Sequence, residues 1–146
     1  MQKVVALVEE EGQAIEGIPT LIADLKQRGF RLALASSSAY PIINAVTKKL
    51  GIQHSFELML SAEEVPNGKP APDVYLEVCQ RLKVPVQQGF ALEDSLTGVK
   101  AAVAAKLTTI AMPFENNSAF SIADYVVESV SEVITVVDRH TEVCVS

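Results

Sequence analysis

The 146-residue chain has no tryptophan, only two cysteines, and twelve Lys and Arg against eighteen Asp and Glu. Each scarcity excludes something. Cys79 and Cys144 form neither a disulfide framework nor a CxxC-type metal spacing, and a reducing cytoplasm is the simplest setting for them. A net charge of -6 and a pI near 4.9 argue against a nucleic-acid or anionic-membrane surface, which would call for clustered Lys and Arg. No apolar run approaches the ~20 residues of a membrane span. The first twenty residues carry Glu9, Glu10 and Glu11 and lack a basic start followed by an apolar core, so no secretory signal is expected. A last absence matters more below: the aspartates are Asp24, Asp73, Asp94, Asp124 and Asp138, and no two stand two residues apart.

What remains is the composition of a single globular domain, 49% hydrophobic and 21% charged. From residue 17 onward helical and strand signals alternate with short connections, which predicts an α/β fold with a Rossmann-like parallel sheet flanked by helices. A helix opens at Pro19 and stops before Gly29. Arg31 to Ala35 reads as a strand buried on both faces and delivers Ser36 at its C-terminal end. A helix from Ala39 to Leu50 stops at Gly51, a strand follows over 56–60, and Pro70 and Pro72 frame the start of a helix running to Leu82. Gly89 to Leu92 is a third strand, Ser95 to Ala105 a helix, and Leu107 to Met112 a fourth strand. Tyr125 to Val127 is a short edge strand and Glu132 to Arg139 a last helix.

Three short motifs fall at the ends of these strands or in loops opening helices: Ser36-Ser37-Ser38, Gly68-Lys69-Pro70 and Glu93-Asp94-Ser95. In open α/β sheets ligands bind beyond the carboxyl ends of the strands, where helix N-termini present N–H groups. Ser36 could donate its hydroxyl to a phosphate oxygen while the Ser37 N–H donates another bond; the plainer alternative is a helix cap. Lys69 could offset phosphate charge; a lysine between Gly and Pro is usually a solvated loop residue, yet Gly68 and Pro70 restrict the backbone and could aim its ammonium inward. Glu93 and Asp94 suit a hard cation such as Mg²⁺. Asp94 could instead cap a helix, a task that Ser95 can take over. His54 and His140 have no spaced ligand partner, and Cys79, sharing a helix with Leu76 and Leu82, reads as a small core residue.

The segments RLALASSS, GKPAPDVY and ALEDSLTGVKAA resemble the second, third and fourth motifs of the haloacid dehalogenase superfamily, in its β-phosphoglucomutase-like phosphatase and phosphomutase branch. The resemblance runs from about residue 14 to residue 127. It implies that Ser36, with Ser37, binds the transferring phosphoryl group of a small phosphorylated metabolite, that Lys69 neutralises that group and orients the nucleophile, and that Glu93 and Asp94 help hold Mg²⁺. The family's nucleophile is the first aspartate of an Asp-x-Asp-Gly motif on its first strand, and that motif is absent here. By resemblance, residues 1–14 correspond to the end of a cap domain and its return linker, ahead of a core over 15–146, so the core is expected to be truncated at its N-terminus.

In the family the absent strand lies between the strands that end at Ser36 and Glu93. Without it two strand edges would be left unpaired, at ~1–3 kcal/mol for each buried unpaired group. Val4 to Val8 is apolar and rich in β-branched residues, and could fill the gap as a strand. The resemblance instead favours a cap-derived helix, and a third possibility is strand exchange with a second copy. The functional expectation is a phosphatase or phosphomutase scaffold that is inactive as this chain. Its rivals are a truncated pseudoenzyme binding phosphate, metal or a partner, and a hydrolase using a substitute carboxylate from Glu9, Glu10 or Glu11.

Overall fold

A computed structural model describes residues 4–7, 17–113 and 115–145, with the side chains of 4–7 and 140–145 left aside. Six strands, β1 (Val4–Leu7), β2 (Arg31–Ser36), β3 (Leu58–Ser61), β4 (Gly89–Glu93), β5 (Thr108–Ala111) and β6 (Tyr125–Val126), form one sheet in the order β3-β2-β1-β4-β5-β6. Every pairing is parallel. Five helices connect or follow them: α1 (Ile18–Gln27), α2 (Tyr40–Leu50), α3 (Asp73–Leu82), α4 (Leu96–Ala104) and α5 (Val130–Val145).

Residues 4–7 are strand, not the end of a cap helix. Val4 to Leu7 pair with Arg31 to Leu34 on one side and with Gly89 to Leu92 on the other. The tetrapeptide therefore lies in the middle of the sheet, where an unfilled position would leave the inner edges of β2 and β4 without partners. Local preference did not decide this outcome; the ladder on both sides did.

The two faces of the sheet are built differently. On one face Leu32 and Leu34 of β2, Phe90 and Leu92 of β4, and Ile110 of β5 pack with Leu21, Ile22 and Leu25 of α1, Ile43 of α2 and Val133, Val136 and Val137 of α5. On the other, the alternate residues Ala33, Ala35 and Ala91 pack with Leu60, with Val74, Tyr75 and Val78 of α3, and with Ala101 and Ala102 of α4. Alternation along a strand sends neighbours to opposite faces, so one strand supplies bulk to one layer and close approach to the other. Glu93, two positions beyond Ala91, falls on the alanine face and is fully buried.

Helix ends follow the sequence signals. Gly51, in the left-handed region at φ 71°, ends α2 with its N–H on the Lys48 carbonyl. Ser95 caps α4, accepting from the Gly98 N–H at 3.1 Å, which spares the Asp94 carboxylate that task. Among the described residues no helix is long and apolar enough to cross a membrane.

Candidate active site

Because all strands run the same way, Ser36, Ser61 and Glu93, the last residues of β2, β3 and β4, share the C-terminal edge of the sheet. The strand order reverses between β1 and β4, and such a switch point is where open α/β sheets bind ligands.

Ser36 is buried, and its Oγ accepts from the Ser38 N–H at 3.1 Å. It therefore shapes the turn between β2 and α2 while keeping its own proton to donate. The serines do not cap α2: the N-cap is Ala39, without a side-chain bond. Ser61, beside Ser36 in the register, is also fully buried. Its hydroxyl donates to the Ser38 carbonyl at 2.7 Å and accepts from the Glu63 N–H at 3.1 Å. Tyr40 at the start of α2 donates to the Glu64 carboxylate. The turn carrying Ser36 to Ser38 is thus tied twice to the 3-10 turn Ala62–Glu64 that follows β3. Ser37 is exposed.

The loop carrying Lys69 is closed by Asp73, whose Oδ2 accepts from the backbone N–H and side-chain amide of Asn67, both at 3.2 Å. Gly68 and Pro70 are exposed, and the Lys69–Pro70 peptide is cis. The lysine side chain nevertheless turns inward and is only 1% exposed. Its Nζ donates to Glu93 Oε2 at 2.9 Å and stands 5.3 Å from the Tyr75 ring centroid. The Tyr75 hydroxyl donates to the same oxygen. The other oxygen, Glu93 Oε1, is buried with no hydrogen-bond partner among the described residues. Burial pushes the Glu93 carboxyl above its ordinary 4.5, against the charge of Lys69 and the hydroxyl of Tyr75, both of which pull it down. Burial, followed by the charge of Glu93, holds the Tyr75 phenol well above its ordinary value.

The motifs do meet, but their pairing differs from the simple expectation. Lys69 is bound to a carboxylate rather than standing free for an anion, and one oxygen of Glu93 is taken by an ammonium and a phenol. Its other oxygen faces α4 so closely that a Cβ built on Gly98 would stand 1.8 Å from it. With Oε2 taken, a cation held by Glu93 would meet Oε1, buried and without a hydrogen-bond partner among the described residues. Among the described residues no three His, Cys, Asp or Glu side chains gather to hold a metal. The remaining acid at the strand end is Asp94. Two neighbouring carboxylates completed by phosphate oxygens and water are compatible with Mg²⁺. Glu9, Glu10 and Glu11 lie outside the described residues.

Sequence reasoning passed over Tyr75, Ser61 and Gly98. Ser61 left a signal, a hydroxyl ending an apolar strand as Ser36 does. Tyr75 and Gly98 became meaningful only once Glu93 was in place between them.

A doubly wound parallel sheet with a lysine, a carboxylate pair and a serine turn on its C-terminal edge defines an α/β enzyme scaffold. A family model for haloacid dehalogenase-like hydrolases matches residues 1–106, and the chain belongs to that family. Hexitol phosphatase B of Escherichia coli (strain K12) is 33% identical over 133 residues, 89% of this chain and 60% of that protein. Protein CbbY of Cereibacter sphaeroides is 34% identical over 137 residues, 90% of this chain and 60% of that protein. The chain spans about three fifths of the length of these relatives. Among solved structures, CbbY from Rhodobacter sphaeroides in complex with phosphate matches with a TM-score of 0.72 and 34% identity over 81% of this chain and 55% of that one. A β-phosphoglucomutase from Clostridium difficile matches with a TM-score of 0.76 and 26% identity over 89% and 57%.

Proposed function

We propose that this chain forms the phosphate-binding core of a phosphatase or phosphomutase scaffold for small phosphorylated metabolites such as sugar phosphates, working in the cytoplasm. The observation that carries the reading is the buried ammonium of Lys69 on Glu93, at the sheet edge that also bears the Ser36 turn. In this reading the Ser36 hydroxyl and the Ser37 N–H donate to phosphate oxygens, and Lys69 offers the N–H bonds that Glu93 leaves over. Asp94 and Glu93 Oε1, which has no hydrogen-bond partner among the described residues, would hold Mg²⁺, while Glu93 Oε2 holds Lys69; the bound metal would supply charge neutralisation at the phosphate. A resemblance to phosphate-bound and phosphatase relatives supports the same substrate class.

The sequence contains no Asp-x-Asp pair, so this chain by itself should bind phosphate without turning esters over. The test has two arms. Inorganic phosphate should raise the midpoint of thermal unfolding by mass action on the folded state, and Lys69→Ala should reduce that rise. Small phosphate esters with Mg²⁺ should be hydrolysed no faster than background. No stabilisation by phosphate would sink the binding site. Sustained hydrolysis abolished by Asp94→Ala would replace this reading with an enzyme using a substitute carboxylate such as Glu9, Glu10 or Glu11. Stabilisation without turnover also fits a pseudoenzyme, whose partner-binding or strand-exchanging form would show association that grows with protein concentration.

A further inference from the structure

We propose that Tyr75 is the positioning residue of the candidate site: through Glu93 it fixes where the Lys69 ammonium stands. The inference deepens the phosphate-binding reading and rests on it for its functional consequence, though not for its geometry.

Glu93 is confined on two sides. Toward α4, Gly98 lies against its carboxylate with no room for even a methyl group. Toward α3, the Tyr75 hydroxyl binds Oε2, and Tyr75, on α3 itself, is fully buried in the layer that α3 and α4 form with the sheet. Lys69 binds that same Oε2. One oxygen therefore divides its charge between a phenol and an ammonium, while the second oxygen has no partner among the described residues. An ammonium has three N–H donors, and the Glu93 bond uses one. The phenol's hold on Oε2 fixes the oxygen on which the Lys69 ammonium closes its ion pair, and so fixes where Nζ stands. The Tyr75 ring, 5.3 Å from Nζ, bounds the ammonium from beneath. A tyrosine kept only for bulk would need its ring and not its hydroxyl. The hydroxyl, however, is placed on the one atom that also holds the lysine.

Tyr75→Phe separates these roles, since it keeps the ring and removes the bond. In ¹⁵N spectra of lysine ammonium groups, the Lys69 signal is identified by its loss in Lys69→Met. We expect Tyr75→Phe to shift that signal or quicken its exchange with solvent, and Glu93→Gln, which keeps the side chain's shape, to move the same signal. By titration with inorganic phosphate, Tyr75→Phe should weaken binding by about tenfold or more, the scale of one hydrogen bond to a charged group. In a Lys69→Met background it should have no further effect. An unmoved Lys69 signal in Tyr75→Phe, or an equal loss of affinity in both backgrounds, overturns the proposal. If the signal moves but the wild type binds no phosphate at millimolar concentration, the positioning of Lys69 stands and the phosphate-binding reading fails.

Discussion

The two faces of the sheet take alternate residues of the same strands and turn them to different ends. β2 sends Leu32 and Leu34 to one layer and Ala33 and Ala35 to the other. β4 sends Phe90 and Leu92 to the first, Ala91 and Glu93 to the second. The aliphatic face gains stability from volume, whereas the alanine face lets α3 and α4 approach closely enough to enclose a carboxylate with its ammonium and phenol. A small-residue layer of this kind gives the polar cluster its precision and makes it intolerant of added atoms.

The largest expected break is on the aliphatic face. Phe90, which meets Phe30 edge to face with centroids 6.2 Å apart, should cost about 3–5 kcal/mol when replaced by alanine, as large-to-small core changes do. Measured by urea unfolding, that loss should leave the phosphate affinity of the folded fraction unchanged. A weakening of phosphate binding comparable to that of Lys69→Ala would show that the two faces are not separable.

On the alanine face the effect reverses in kind, because one added methyl does the harm. Gly98→Ala drives a Cβ into the Glu93 carboxylate, and overpacking together with a disturbed buried ion pair should cost about 3 kcal/mol. Here stability and phosphate affinity should fall together. A folded Gly98→Ala protein with wild-type affinity would mean that the seat of Glu93 is looser than described.

Ser61→Ala is the smaller cut, about 1 kcal/mol for a buried hydroxyl that both donates and accepts. Since Ser61 ties the Ser38 carbonyl, phosphate affinity should drop with it, and Ser61→Thr should restore part of the loss. An equal loss in the threonine variant would count against the tie.

The subtlest test is a slope. Burial raises Glu93, so between its ordinary 4.5 and its raised value the folded state binds a proton that the unfolded chain has released. Stability from this group is therefore present below 4.5 and lost as pH rises through the folded value. The stability difference between wild type and Glu93→Gln should shrink or change sign with rising pH in that window. A flat difference would place the carboxyl at its ordinary value.

Much of the fold was legible because its signals are local. The strand ending at Ser36, the stop at Gly51 and the cap at Ser95 each follow from a few neighbouring residues. β1 was legible only as one alternative, a strand over Val4 to Val8 filling the gap, since the segment suits either a strand or a helix and the choice belongs to the two edges it pairs with. The site was legible in its members but not in its bonds. Gly68 and Pro70 restrict the backbone enough to suggest that Lys69 could point inward, as it does, but its partner 24 residues away was not legible. Glu93 reads as a carboxylate at a strand end, and nothing near it in sequence announces that Tyr75 and Lys69 share one of its oxygens.

The central position of β1 has a consequence for how this domain opens. Among the described residues the sheet ladder joins β3 and β2 to β4, β5 and β6 across those four residues, so releasing them cuts this ladder into two separate ribbons. Amide protons of β2 and β4 that face this seam should then exchange with solvent in step with those of β1, as one cooperative unit. The slowest-exchanging amides of an ordinary parallel sheet lie at its middle; in this chain the middle is held by a strand of four residues, and the protection of both halves should report the lifetime of that link.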